Sequence, residues 1–416
     1  MIVHETTGPT VRDRRARVAV GALFFTNGAL FANLIPRYPQ IKADLELGEA
    51  AYGLAVAAFP AGAIAAGLGA AVLIRLFGSA RVAVLGTVAT GAGTWAAAFA
   101  PSLWVFAAAL LAAGAMDSLT DVGQNAHGLR VQRRYGRSIL NNFHAVWSIG
   151  AVTGGTMAAT AIAWEIPRQV HLGLSAVLFS AVALWALRWC LPGPDNGAEE
   201  NGAAATPTEI ADQAVDAARR RLWVVWVLVA LVLLAISGSV VEDAGSTWAA
   251  VYLSGSLGAP AAVAATGFIA MVGAQFVGRM IGDRCVDLFG QRAVARVGGA
   301  LTAVGMGLAL AFPTVPGTLV GLAVAGLGMA TLIPAAMHAA DQIPGLRPGT
   351  GLTVVSWLMR LGFLLSPPLV GLVAEATSVR LGLTLVPVAG LAAIALAGVL
   401  SGRTSRFSRP TTQEAS

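Results

Sequence analysis

The chain has 416 residues, of which 56% are hydrophobic and only 12% are charged, and its formal net charge is +6. Soluble domains carry about 25% charged residues, so a single water-soluble core does not account for this composition, whereas a lipid bilayer does. The basic residues lie at the ends of apolar runs and not on one patch, so we expect no nucleic-acid partner.

Twelve apolar runs are long enough to cross a bilayer, which takes about 20 helical residues. They lie near 18–36, 51–74, 82–99, 103–126, 142–163, 170–190, 222–244, 259–282, 294–312, 317–340, 351–373 and 380–401. The first run is longer than the core of a signal peptide and lacks a small-residue cleavage site, so we interpret it as a retained span. The sequence therefore predicts an all-α membrane protein with twelve transmembrane helices.

One long polar segment divides these runs into two sets of six. The predicted organisation is a tail at 1–17, a six-helix bundle at 18–190, a linker at 191–221, a second six-helix bundle at 222–401 and a tail at 402–416. Within the linker, residues 209–221 could form an amphipathic interfacial helix or part of a disordered tether, and the sequence favours neither.

The distribution of Lys and Arg predicts the orientation, because cytoplasmic loops are enriched in these residues. With the N-terminus in the cytoplasm, most of the 27 basic residues fall on the cytoplasmic side. The exceptions are Arg37, Lys42, Arg168 and Arg380 on the outer side and Arg360 inside a span. We therefore expect an integral protein of the plasma membrane with both termini cytoplasmic. Its two cysteines lie at cytoplasmic ends of spans, where a disulfide is not expected.

An internal repeat relates the two halves. Residues 74–86, IRLFGSARVAVLG, align without gaps to residues 286–298, VDLFGQRAVARVG. The same offset, from 74 to 286, pairs Gly114 with Gly326 and Gly150 with Gly362. Two parallel repeats in one membrane chain are typical of transporters built from two bundles.

The second copy of this repeat resembles a signature of the major facilitator superfamily, G-x-x-x-D-R-x-G-R. The positions that match it, which the resemblance assigns to gating, are Gly282, Asp283, Arg284, Gly290 and Arg292, with Gly78 and Arg81 remaining in the first half. Ala71 stands where Asp283 would have its counterpart, so the first half departs from the pattern. The resemblance implies a 6+6 major facilitator fold and a transporter, which we expect to be a monomer. We expect Asp283 to be bound by Arg292 or by a neighbouring helix end.

More narrowly, the chain is similar to the fucose-permease-like, sugar-permease-like branch of that family. The stretches that carry this likeness are RYPQIK at 37–42, DVGQNAH at 121–127, FHAVWSIG at 143–150, and Glu242 with Trp248.

Three polar residues fall on one face of the predicted fourth helix: Asp117, Asp121 and Asn125. At 1.5 Å per residue, Asp117 lies about 21 Å along the helix from Leu103, within a hydrocarbon core about 30 Å thick. Each acid costs roughly 3 kcal/mol on insertion, so it needs a partner. A proton or solute site in a central cavity is one interpretation and a structural ion pair with nearby arginines is the other. The first suits Asp117 better, and the second suits Asp121.

Arg360 lies near the midplane of the predicted eleventh helix and also needs a partner, which could be an acid, an anionic solute or a purely structural ion pair. We expect it to pair with Asp117 or Glu242 when the site is empty. Glu242 follows Ser237-Gly238-Ser239, where we expect the seventh helix to break and line the site. The alternative places Glu242 at the outer interface. Of the two neighbouring acids, the resemblance favours Glu242 over Asp243 as the site residue.

Three further residues are candidates for contact with solute or protons. His144 could titrate near pH 7, Asn27 could hydrogen-bond a solute, and Trp147 could stack on a sugar face. The alternatives are a solvated interfacial histidine, an asparagine that serves helix packing, and an interfacial or core tryptophan.

The sequence favours a secondary active transporter for a small polar organic solute, coupled to protons and working by alternating access. A proton-driven efflux pump for hydrophobic compounds has the same fold and remains open. A receptor or scaffold is less favoured because the outer loops are short. No metal-ligand cluster, nucleotide loop or nucleophile motif is visible in the sequence, so we expect no enzyme, metal or cofactor.

The orientation can be tested with a reporter that is active only in the cytoplasm. Fused within 195–205 and, separately, after Ser416, it is expected to be active at both sites, because both segments are predicted to be cytoplasmic. The same reporter inserted after Glu165 serves as the outer control. Inactivity at either predicted cytoplasmic site would contradict the topology.

Overall fold

The computed structural model describes residues 9–136, 139–193, 214–344, 346 and 349–401. Within these ranges every regular element is a helix. The helices are α1 Val11–Leu34, α2 Tyr38–Asp44, α3 Glu49–Gly67, α4 Ala70–Phe77, α5 Ser79–Ala97, α6 Leu103–Tyr135, α7 Leu140–Ala163, α8 Arg168–Leu187, α9 Ala214–Val251, α10 Ala261–Phe289, α11 Gln291–Ala311, α12 Val315–Met329, α13 Leu332–Asp341, α14 Thr350–Leu358, α15 Arg360–Ala376, α16 Val379–Gly382 and α17 Leu385–Leu396. Short turns of other helix types occupy Ile35–Arg37, Tyr252–Ser256 and Ala397–Val399.

These helices make twelve spans in two bundles of six. In the described part of the chain, 11 helices are long and apolar enough to cross a membrane, and the pair α4–α5, bent by 117°, brings the number to 12. α3 forms the second span, α4 with α5 the third, α12 with α13 the tenth, α14 with α15 the eleventh, and α16 with α17 the twelfth. The predicted all-α, twelve-span architecture is confirmed.

The seventh span differs from its prediction, because α9 runs unbroken through Ser237-Gly238-Ser239. The hydroxyls of Ser237 and Ser239 donate to the carbonyls of Leu233 and Ala235 one turn earlier, so neither disturbs the helix. A Cβ on Gly238 would lie 2.8 Å from the Ile333 side chain, so the glycine allows close packing against α13. The predicted break at these small residues is therefore wrong. The irregular turn lies further on, at Tyr252–Ser256.

The paired glycines of the two halves make equivalent contacts. A Cβ on Gly114 would lie 2.0 Å from the carbonyl oxygen of Phe59, and one on Gly326 would lie 2.2 Å from that of Met271. Phe59 and Met271 are related by the same offset as the glycines. Gly78 and Gly290, also related by it, have φ of 85° and 83°, which favours glycine at both turns. The repeat found in the sequence therefore corresponds to equivalent helix crossings at Gly114 and Gly326 and to equivalent turns at Gly78 and Gly290.

Successive spans run in opposite directions. The start of the first span, the connection between the two bundles and the end of the twelfth span therefore lie on the same side of the molecule. We call this the linker end, and the opposite side, which holds the turn at Trp164–Pro167, the far end. The principal helix contacts between the bundles are those of α3 with α15 and of α7 with α10, joined by those of segment 35–44 with α9 and α10.

At the far end the bundles are closed against each other by aromatic side chains. Tyr52 of α3 donates its hydroxyl to the carbonyl of Thr247 in α9 at 2.8 Å. Its ring meets Trp248 edge-on with centroids 4.9 Å apart, and both side chains are fully buried. This burial removes large apolar surfaces from water and lipid and holds the far end shut.

Backbone contacts complete the closure. The Glu375 carboxylate of α15 accepts hydrogen bonds from the backbone N–H groups of Glu49 and Ala50, at the positive end of the α3 dipole. A Cβ on Gly53 would lie 2.3 Å from the carbonyl oxygen of Pro367. These contacts lie in the far half of each span, and we infer that the bundles diverge toward the linker end and leave a cavity between them there.

A substitution in the repeat-related crossing tests the packing. Gly114→Val is expected to destabilise the protein by about 1–3 kcal/mol, because its side chain would enter the Phe59 backbone. Thermal unfolding in detergent measures the effect. Gly307→Val is the matched control, since a Cβ there meets nothing within 4 Å. Equal melting temperatures for the two variants would contradict the proposed packing.

Candidate functional site

Asn27 organises the polar residues of the first bundle. From α1 its side-chain amide donates to Asp117 Oδ1 in α6 at 2.6 Å, and its oxygen accepts from Trp147 Nε1 in α7 at 2.8 Å. Asn27 is buried, whereas Asp117 and Trp147 are partly exposed. The three helices therefore present one connected polar surface. Within it, the Trp147 indole N–H holds the Asn27 side chain in place.

The network extends one turn along α6 toward the linker end. Asn125 donates to Asp121 Oδ1 at 2.9 Å, and Gln124 approaches Asp121 Oδ1 at 3.4 Å and Asn27 Oδ1 at 3.5 Å. Among the described residues no arginine lies within 4 Å of Asp121, so the predicted ion pair with the arginines is not formed. Gln124, which sequence reasoning did not single out, connects the two acids through Asn27.

In the second bundle, Glu242 binds partners on α10. Gln275 donates to Glu242 Oε2 at 2.7 Å, and Arg279 Nη2 lies 3.7 Å from the same oxygen. The cation beside Glu242 is therefore Arg279. The sequence had instead predicted Arg360 as the partner of Glu242 or Asp117. Gln275 and Arg279 are four residues apart and so face one side of α10, a spacing that could have identified them.

Arg360 begins α15 directly after an interruption at Met359 and is partly buried. Within the described chain no carboxylate oxygen lies within 4 Å of it. It interacts electrostatically with Asp117 of the other bundle at longer range. The ion pair expected between Arg360 and Asp117 or Glu242 in the empty site is thus absent from the described residues.

His144 provides a second electrostatic connection between the bundles. It is exposed on α7, packs edge-on against Phe24 with centroids 5.2 Å apart, and interacts with both Asp121 and Arg279. Because Arg279 and Arg360 belong to the second bundle, these electrostatic interactions indicate that polar groups of the two bundles lie near each other.

Asp243 lies deeper, between this cavity and the closed far end. Thr247 donates to its Oδ1 at 3.3 Å, the Ser366 hydroxyl lies beside the carboxylate, and Asp243 interacts electrostatically with Tyr38 and Tyr52. Glu242 and Asp243 are neighbours in sequence, but their side chains have different hydrogen-bond partners.

The predicted gating residues lie at the linker end, away from the cavity. Gly282 packs against Thr331, where a Cβ would lie 2.4 Å from a methyl carbon, and Asp283 and Arg284 are exposed. In the described structure Asp283 has no ion pair. Arg292 instead donates its Nε to the Leu400 carbonyl at 3.1 Å. The expected pairing of Asp283 with Arg292 or with a neighbouring helix end is not formed among the described residues, because Arg292 binds the end of the last span instead.

The arrangement suits the binding of a polar solute. One wall carries Asp117, Asp121 and the amides that orient them, and the other carries Glu242, Arg279 and Arg360. These groups offer both donors and acceptors, and a partly exposed indole beside them offers a flat apolar face. A search for three or more clustered His, Cys, Asp or Glu side chains able to hold a metal finds none in the described residues.

Comparison with known proteins agrees with this architecture. An uncharacterized transporter of Sinorhizobium fredii, y4wD, is 26% identical over 364 residues, which cover 87% of this chain and 92% of that protein. A mutant of the nucleoside transporter NupG shares the fold with a TM-score of 0.71 at 13% identity, over 92% of this chain and 98% of that one. A D-xylose-proton symporter shares it with a TM-score of 0.65 at 16% identity, over 94% and 98%.

The family model for the Major Facilitator Superfamily matches residues 20–285 and 243–416, which together span most of the chain. The predicted family is thus confirmed, and a sugar transporter is among the solved structures with the same fold. The chain belongs to the Major Facilitator Superfamily, and it is an integral membrane transporter.

Proposed function

We propose that this transporter moves a small polar organic solute across the plasma membrane by alternating access and couples that movement to protons. The observation that carries the proposal is the hydrogen-bonded polar surface of Asn27, Asp117 and Trp147, whose Asp117 interacts electrostatically with Arg360 of the other bundle. In two-bundle transporters solute sites lie between the bundles near the midplane.

Charge in the cavity supports a polar solute over a hydrophobic one. Both walls carry ionisable side chains, and a hydrophobic compound would desolvate them without replacing their hydrogen bonds. A sugar or a nucleoside, the solutes named for two transporters of the same fold, offers hydroxyl groups to such walls. These two classes are therefore the first solutes to test, whereas efflux of hydrophobic compounds has no support from the cavity lining.

Coupling follows from the shared electrostatics of Asp117 and Arg360. While Asp117 is ionised it attracts Arg360 toward the first bundle, with no second acceptor described at Arg360. When Asp117 takes a proton this attraction disappears, and the guanidinium can hold an acceptor on the solute. Proton binding and solute binding then favour the same state, which is the requirement for symport.

The closed far end and open linker end support a direction for the cycle. The positive-inside preference places the linker end, where most arginines lie, in the cytoplasm. The structure then corresponds to a state open to the cytoplasm. Separation of Tyr52 from Trp248 would open the outer side, and closure of the linker end would accompany it.

Transport by reconstituted protein tests the coupling. Asp117→Asn and Arg360→Ala are each expected to abolish accumulation of solute driven by a pH gradient, measured with sugars and nucleosides in proteoliposomes. Asp117→Asn removes the titrating group and is expected to retain exchange of solute without a gradient, whereas Arg360→Ala removes the proposed solute anchor.

Asp287→Asn and Arg296→Ala are the matched controls, because both residues are exposed at the linker end. They are expected to accumulate solute to within about twofold of the unsubstituted protein, since surface substitutions cost little. Normal gradient-driven accumulation by Arg360→Ala would contradict the coupling and leave Arg360 with a structural role.

A further inference from the structure

A second cavity lies at the linker end of the first bundle, apart from the cavity between the bundles. It has a volume of about 2030 Å³ and is bounded by the ends of α1, α4, α5, α6 and α8. Its lining is strongly basic and contains no Asp or Glu. The arginines at its surface include Arg12, Arg15, Arg75, Arg81, Arg133 and Arg188.

Most of this charge is not neutralised by the described protein. Arg15 lies over the Trp189 ring, 4.5 Å from its centroid, but in the described residues no carboxylate lies within 4 Å of any of these six arginines. The nearest acid in α1, Asp13, is already bound by Thr10 and Arg134. Like charges held together at a low-dielectric boundary repel each other, so an anion in the cavity would be bound favourably.

The internal repeat shows that this charge belongs to the first half alone. At the positions where the second half has Asp283 and Asp287, the first half has Ala71 and Arg75, and both of these line the cavity. The positive-inside preference acts on both halves and does not account for the difference. At these two positions the first bundle therefore lacks the acids that its counterpart carries, and the described residues supply no anion to its cations.

The shape and the apolar lining of the cavity favour one source for that anion. Leu76, Phe77 and Leu129 line it with largely exposed side chains, beside the arginines and at the end of the membrane-spanning helices. A free phosphate would leave these apolar groups in water, whereas a phospholipid places its phosphate on the arginines and its upper acyl chains against the apolar side chains. The first turn of α5 adds the positive end of its dipole, because Gly78 offers no side-chain cap.

We propose that this cavity binds the headgroup of an anionic phospholipid, whose phosphate supplies the negative charge that Ala71 and Arg75 do not. The volume exceeds the roughly 300–1,000 Å³ of most small-molecule pockets and accommodates a whole headgroup. Basic pockets between membrane-spanning helices on the cytoplasmic side are suited to such lipids. The bound lipid would fasten the linker ends of α1, α4, α5 and α8 to one another.

Native mass spectrometry of the detergent-purified full chain, titrated with phosphatidylglycerol, tests the proposal directly. The unsubstituted protein is expected to retain at least one phosphatidylglycerol but not phosphatidylcholine, and glycerol phosphate in excess is not expected to displace it. Arg75→Gln combined with Arg188→Gln is expected to weaken binding roughly 30-fold, because each arginine near an anionic headgroup contributes a factor of roughly five.

The matched control combines Arg284→Gln with Arg296→Gln, which removes the same charge from exposed positions at the linker end of the second bundle. Its affinity for phosphatidylglycerol is expected to change less than threefold. Equal weakening in both double variants would overturn the proposal, since it would indicate a general attraction of the basic face. Displacement by glycerol phosphate would also overturn it in favour of a soluble phosphate site.

The acidic residues of the linker are a second source of negative charge for the cavity. A third variant distinguishes occupation by the linker from occupation by the lipid. Asp195→Asn with Glu199→Gln and Glu200→Gln removes its first acids. Unchanged binding of phosphatidylglycerol supports the lipid site. Binding that appears only in this variant would mean that the linker occupies the cavity, and would overturn the proposal.

Discussion

The structure depends on one constraint, namely that ionised side chains deep in a membrane protein must find partners inside it. Burying an unpaired charge costs several kcal/mol, so acids and cations in the spans face one another or a shared aqueous space. Asn27 meets this constraint in the first bundle by holding Asp117, and Gln275 meets it in the second by holding Glu242. Amide side chains thus orient the acids, and among the described residues Arg360 has no carboxylate within 4 Å and is available to a ligand.

The helix packing that supports this arrangement is built from repeated close approaches at glycine. In lipid, small residues allow helices to approach until van der Waals contact replaces the hydrophobic effect as the stabilising interaction. Gly114 and Gly326 perform this function in corresponding crossings of the two halves, so both bundles contain the same close helix crossing. Between the bundles, aromatic rings and a capped helix end make contacts in the far half. Two bundles joined in this way are suited to rocking about the site between them.

The sequence predicted the features that depend on composition and periodicity. Span number, the division into two halves, the repeat and the family were all accessible, because apolar length and the spacing of Gly78 and Gly290 leave little choice. The polar partners of individual side chains were harder to predict. Arg279 was assigned to the cytoplasmic surface because it lies near the end of its apolar run, yet α10 continues to Phe289 and leaves it beside Glu242. The prediction of a helix break at Gly238 was wrong because small residues can allow either a bend or close packing. Which of the two occurs depends on the neighbouring helix, here on the Ile333 side chain.

The central claim, that the bundles are closed at the far end and exchange with a state closed at the linker end, can be measured directly. The chain's 2 cysteines, Cys190 and Cys285, lie at the linker end of different bundles and can carry spin labels for pulsed electron paramagnetic resonance. Gly53→Trp prevents closure of the far end, since a Cβ there already lies 2.3 Å from the Pro367 carbonyl oxygen, and Gly307→Trp, in open space, is its control. If the bundles alternate in this way, the distance between the labels is shorter in Gly53→Trp than in the control or the unsubstituted protein. An identical distance distribution in all three would contradict alternating access between these bundles.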